Sequence, residues 1–153
     1  MTIDQLKASL SLDNVQRWQK HRKDNKKAVA IHAYKAALLY AYLGGKDIIS
    51  MLTHDNDEVF TGDIPSPAKK HIRGLEYFKK ACVPFSCDYE KKLGKIADLL
   101  ELVLELKEDL EQYGHLPKNL RSVYRQETKK LLQLAKAINK DKEVKYLLKE
   151  VVK

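Results

Sequence analysis

An all-α fold is what this sequence predicts, on two observations. Apolar residues recur at helical spacing over most of the 153 positions, and only six glycines and four prolines interrupt them. The 44% hydrophobic and 33% charged composition is that of an ordinary soluble protein, not of a disordered chain. At this length a single domain buries a real core without disulfide or metal staples.

The elements follow in order. Residues 3–12 read as a short opening helix, followed by the polar, basic "NVQRWQKHRKDNKK". From about Ala28 to Leu43, Val29, Ala33, Ala36, Ala37 and Tyr40 form an apolar stripe, and "GG" at 44 and 45 stops the helix. A helix from Asp47 to about Phe60 comes next, with Asp47 placed as its N-cap. "TGDIPSP" breaks it, another helix is expected from about Pro67 to Cys82, and "VPFS" turns the chain. The longest pattern, roughly Asp88 to Tyr113, sets Ile96, Leu99, Leu100, Val103, Leu106 and Leu110 on one face and ends at "GHLP". Helices over about 118–139 and 141–152 complete five to seven in one domain, with no linker or internal repeat.

Composition also limits function. Cys82 and Cys87 lie five apart with no second pair for a zinc site, so both read as reduced thiols. "MTIDQLKASLSLDNV" lacks the charged and apolar regions of a secretory signal, and "AALLYAYL" is too short to span a bilayer. A soluble, cytoplasmic protein without a membrane partner is expected. The net charge of +8 is uneven: residues 117–153 hold eleven Lys/Arg against four Asp/Glu, and the first 116 are nearly neutral. Such a basic region suits a polyanion, although solvated lysines on amphipathic helices give the same count. Tyr124 and Tyr146 are its only aromatics, too few for a stacking platform, so nucleic acid is not the expected partner.

One stretch departs from the helical pattern. "THDNDEVFTGDIPSPAKK", residues 53–70, gathers a histidine, four carboxylates, a glycine and two prolines. His32 sits within the apolar stripe upstream, and Asp98 sits inside "KIADLLELVLEL" downstream. A buried lone charge costs several kcal/mol (about 2–7 for a polar group, more when ionised) unless compensated. With His54 and Asp55 these residues offer two imidazoles and two carboxylates, a donor set suited to Mn²⁺, Co²⁺, Fe²⁺, Zn²⁺ or Mg²⁺. Taken singly, a core histidine is more often structural than ligating, and Asp98 could be an edge residue.

The order His32, His54-Asp55, Asp98 resembles the H…HD…D pattern of the HD-domain metal-dependent phosphohydrolases. "HDNDEVFTGDIPSPAKK" is similar to the "HDxxEvlTGDxPxPxK" segment of bacterial HD-type 5′-deoxynucleotidases and related phage dATP triphosphohydrolases, with seven identities at fixed spacing after the HD pair. "VQRWQKHRKDNKKAVAIHA" resembles their Arg-Trp motif, and "KIADLLELVLELKEDL" their "KxAD" helix. The resemblance covers roughly residues 14–110 and implies an HD-type helical bundle. It implies that His32, His54, Asp55 and Asp98 hold one divalent ion. By the same carry-over Glu58 and Asp63 flank the attacking water, Arg17 and Lys69 hold phosphate, and Trp18 packs against the deoxyribose. Pro65 and Pro67 would stiffen the loop that presents Lys69. His21, His71 and His115 match nothing and read as surface residues.

Departures are visible too. Ile31 stands where the family commonly has Glu, the interval from His32 to His54 is short, and Asp57 adds a carboxylate without a role. The resemblance implies hydrolysis of (deoxy)nucleotides in a bacterial or phage-infected cell, foremost removal of phosphate from deoxynucleoside monophosphates. Release of triphosphate from dATP is the alternative. A binding protein that kept the fold without turnover is the reading from another class. A homo-oligomer, dimer or larger, is implied as well, with no legible interface.

Overall fold

The computed structural model describes residues 1–15, 28–64, 69, 71–113 and 118–151. Arg17, Trp18, His21, Pro65, Pro67 and His115 lie outside the described residues. Those described are all-α, as expected, with no strand among them. They fall into two compact units, Met1–Ala37 with Asp47–Phe85, and Leu38–Lys46 with Ser86–Lys153.

The first unit opens with α1 (Ile3–Ser11), whose N-terminus is closed by a reciprocal capping box. The Thr2 hydroxyl accepts from Gln5 N, and Thr2 N donates to the Gln5 side chain at 2.7 Å. A 3-10 turn, Leu12–Asn14, continues it. Helix α2 (Val29–Tyr42) matches its expected limits, and its buried face carries Val29, His32, Ala33, Ala36 and Tyr40.

The expected helix from Asp47 to Phe60 is instead two short ones, α3 (Ile48–Leu52) and α4 (Glu58–Thr61), separated by a turn over 53–57. Asp47 stands at the N-cap position but makes no capping bond to α3. The break shows in the backbone hydrogen bonds of the turn. Asn56 N donates to Thr53 O and Glu58 N to Asp55 O, three residues back instead of four, so the turn tightens and α-helix cannot pass through it. Helix α4 ends on Gly62, whose φ of 70° and ψ of 169° suit glycine alone. The helix expected from about Pro67 to Cys82 falls partly outside the described residues; Lys69 is helical, the chain turns over 71–74, and α5 covers Leu75–Phe78 before a 3-10 turn over Lys79–Ala81. Gly74, in the left-handed region at φ 76°, separates it from the preceding turn.

The second unit is built on α6 (Asp88–Tyr113), which matches its expected span, with α7 (Lys118–Ala137) and α8 (Asp141–Glu150) against it. Leu93, Ile96, Leu100 and Val103 of α6 are fully buried, as are Leu131 and Val144. Asn139, at φ 60°, reverses the chain after α7, and Lys140 N closes the helix end on Ala135 O. The Lys107 ammonium donates to Leu148 O at 2.8 Å, meeting one of the open carbonyls of α8. No helix among the described residues is long and apolar enough to cross a membrane.

The two glycines that stop α2 act differently. Gly44 adopts φ 91°, whereas Gly45 lies so close to the Tyr40 ring that a Cβ there would sit 2.4 Å from its carbons. Tyr40 is fully buried and donates through its hydroxyl to Glu90, whose carboxylate also accepts from Lys46 N at 3.0 Å. Displacing the ring would break this tie. Gly45→Ala should therefore lower stability by about 1–3 kcal/mol, the usual cost of overpacking. Urea unfolding should show it as a lower midpoint at unchanged slope. An unchanged midpoint would contradict the close approach.

Candidate active site

Two imidazoles and one carboxylate converge within the first unit. His32, only 5% exposed, projects from the buried face of α2. His54 and Asp55 come from the turn between α3 and α4. Asp55 Oδ2 lies 3.1 Å from His54 Nε2 and 3.5 Å from His32 Nε2, and the two rings are 5.4 Å apart between centroids.

The His54 tautomer follows from its other nitrogen. Nδ1 is 2.7 Å from Met51 O, and since a carbonyl only accepts, Nδ1 carries a proton. In the neutral ring Nε2 then offers a lone pair, aimed at a carboxylate oxygen. Lone pairs facing each other repel, and a cation among them removes the repulsion. The donor chemistry therefore fits a divalent ion, with the Met51 carbonyl orienting one ligand from behind.

Beside this cluster lies a buried ion pair. Glu58 is 3% exposed and accepts from the Lys69 ammonium at 2.7 Å. Burial, with the Asp55 charge next and that of Asp63 after it, pushes Glu58 up from 4.5 to about 7, although Lys69 opposes the rise. For Lys69, burial works downward, but the bond to Glu58 and the charges of Asp55 and Asp57 outweigh it and hold the ammonium above its ordinary value. Asp63 follows Gly62 and is partly buried. Asp98 stands on α6 in the second unit, where Lys95 Nζ approaches to 2.5 Å. His71 is exposed, as expected of a surface residue.

Sequence reasoning missed the groups behind the turn. Asn56, fully buried, donates through its amide to Gln5 O (2.9 Å), Ser9 Oγ (2.9 Å) and Ala81 O (3.0 Å). Thr53 Oγ1 donates to Ile49 O and accepts from Val83 N at 2.9 Å. Burial pushes the Cys82 thiol up to about 11, so it remains an S–H group, 3.4 Å from His54 O. The one advance signal was polarity: Asn and Asp in consecutive positions beside an HD pair have no business on an apolar face unless something meets them.

No family model and no curated protein sequence matches the chain. Solved structures do match it. An HD phosphohydrolase of cyanophage S-2L, DatZ, bound to dA and one catalytic Zn²⁺ ion, superposes with a TM-score of 0.66 at 18% identity over 95% of this chain and 94% of its own. A conserved hypothetical protein from Pyrococcus furiosus superposes with a TM-score of 0.60 at 22% identity over 95% of this chain and 100% of its own. The chain thus has the helical fold of an HD phosphohydrolase.

The raised Glu58 value has a consequence for the metal-free protein. Its folded value lies above the ordinary 4.5, so the folded chain binds this proton more tightly than the unfolded one. The resulting stability is full below about 4.5 and is lost as pH rises through about 7. Thermal melts across that window should fall more steeply for the native sequence than for Glu58→Gln. Parallel curves would contradict the assignment.

Proposed function

We propose that the chain is a metal-dependent phosphohydrolase of deoxynucleotides. The observation that carries this reading is the convergence of His32, His54 and Asp55, with the His54 tautomer set by Met51. The fold it shares with a phage HD phosphohydrolase bound to a deoxynucleoside and Zn²⁺ supports it. So does the sequence order of the HD pattern, in which Asp98 of α6 supplies the fourth ligand beside His32, His54 and Asp55. A divalent ion so held supplies Lewis acidity and neutralises charge on the phosphoryl oxygens.

The chain's own residues carry the remaining roles. Glu58, beside Asp55 and raised in proton affinity by its burial, is the carboxylate placed to accept a proton from the attacking water. Asp63 flanks the same water and keeps the proton affinity of Glu58 high. Water oxygen bonds to phosphorus as the bond to the 5′ oxygen breaks, and the proton taken by Glu58 passes to that leaving oxygen. Lys69, held charged, offers a point charge to the phosphate, and Arg17 a two-pronged contact. Trp18, by its place in the HD-type sequence pattern, is the residue assigned to the sugar and to preference for the 2′-deoxy form. Products are a deoxynucleoside and inorganic phosphate.

Among deoxynucleotides, we favour the 5′-monophosphate, whose single phosphate these two cations match. A second reading, release of triphosphate from a deoxynucleoside triphosphate, is favoured by the likeness to a phage protein of nearly equal length. Offering dAMP, dATP and their ribose counterparts to metal-stripped protein, with Mn²⁺, Co²⁺, Zn²⁺ or Mg²⁺ restored, separates the two by product. Deoxyadenosine from dAMP is the expected result, lost at least 100-fold in Asp55→Ala, as removal of one catalytic group commonly costs about 10²–10⁴. Triphosphate from dATP moves the assignment to the second reading. No turnover with any ion refutes the enzyme and leaves a nucleotide-binding protein.

A further inference from the structure

Asp57, the carboxylate without a role in the HD pattern, is fully buried. Lys79 Nζ, from the 3-10 turn after α5, lies 2.6 Å from its Oδ2, and the Cys82 thiol reaches its Oδ1 at 3.5 Å. The pair is lopsided, since Asp57 is 0% exposed and Lys79 47%. Stability alone does not account for such an arrangement. A buried ion pair is on balance no better than apolar residues of the same volume, because desolvating the charges offsets their attraction. What an ion pair adds is one permitted position.

That position is a matter of register. Residues of the His54 turn are attached one after another to the 79–83 segment. Val83 N bonds Thr53 Oγ1, Cys82 Sγ reaches His54 O, Asn56 Nδ2 bonds Ala81 O, and Lys79 meets Asp57. Three of these contacts involve neutral groups that a shift by one residue could replace with other backbone partners. The charged one has the most to lose: the neighbouring cation, Lys80, is engaged over the Tyr77 ring, so a slipped turn would leave Asp57 buried away from Lys79. Glu58 follows directly, so the same register also aims the proposed base.

We propose that Asp57 and Lys79 are positioning residues of this centre. Their ion pair fixes the register at which His54 Nε2 and Asp55 Oδ2 face one point, and so sets affinity for the divalent ion. The inference rests on the phosphohydrolase reading of the site. Neither residue touches the ion or the substrate.

Mn²⁺ titration of the metal-stripped full-length chain by calorimetry tests this, with thermal midpoints and dAMP kinetics measured alongside. Asp57→Asn keeps shape and leaves Lys79 free to turn to solvent. It should stay folded, bind Mn²⁺ about 10–100-fold more weakly, and lose kcat while KM for dAMP stays within about threefold. Lys79→Arg, which restores the cation, should bind Mn²⁺ within about threefold of wild type, a rescue on the scale of one hydrogen bond at most. Should Asp57→Asn fail to fold, Lys79→Gln, altered on the half-exposed side, gives the same readout. Mn²⁺ binding within about twofold of wild type in a folded Asp57→Asn or Lys79→Gln protein overturns the proposal, whatever its melting point, since outer groups that orient ligands cost more than this. A wild-type chain that binds no ion sinks the phosphohydrolase reading and this inference together. Wild-type binding with unaffected variants sinks this inference alone.

Discussion

A single hydrogen bond, from His54 Nδ1 to Met51 O at 2.7 Å, decides which nitrogen of the ring is left to bind. Met51 lies in α3 and His54 in the turn beyond it, so the bond ties the ring to the end of that helix. Much of the first unit is arranged to hold that turn. Thr53 caps back onto Ile49, Asn56 reaches α1 and Ala81, and the 79–83 segment lines the far side. A buried amide left without acceptors would cost about 1–3 kcal/mol, so each of these contacts constrains the next.

Charge sets the second constraint. Asp55, Asp57 and Glu58 fall within four positions, and three carboxylates so close would repel one another in a partly dry environment. The chain answers each differently. Lys69 meets Glu58, Lys79 meets Asp57, and Asp55 faces the two imidazoles. Only the last arrangement suits an ion from solution, since the first two carboxylates already have a cation of their own. On the proposed function, the division would separate a proton acceptor, an anchor and a ligand among side chains of nearly identical chemistry. Burial sharpens it: desolvation first, and the Asp55 charge second, push Glu58 up to about 7.

Regular helices were legible because their information is local. The apolar stripe of α6 states its own limits, and Gly44 and Gly45 mark the end of α2. The HD pair and Glu58 were legible as a pattern of adjacent residues. The turn that breaks the expected helix at 53–57 was not, since its residues carry no proline or glycine and the break is made by bonds to α1 and Ala81. Asn56 finds Gln5 at a separation of 51 residues, and Asp57 finds Lys79, two contacts that no local spacing announces. The expected helix over about Pro67–Cys82 ran through Gly74, whose left-handed φ of 76° breaks it ahead of α5. Asp57 was visible as an oddity in the sequence, and its partner came only from the fold.

Co²⁺ anomalous diffraction on crystals of the metal-loaded protein is the most direct test of the central claim, that this turn presents a divalent-ion centre. One strong peak is expected about 2.0–2.2 Å from His54 Nε2, His32 Nε2 and an Asp55 carboxylate oxygen, with Met51 O still accepting from His54 Nδ1. A peak elsewhere, or His54 bound through Nδ1 with the Met51 contact broken, would contradict that claim.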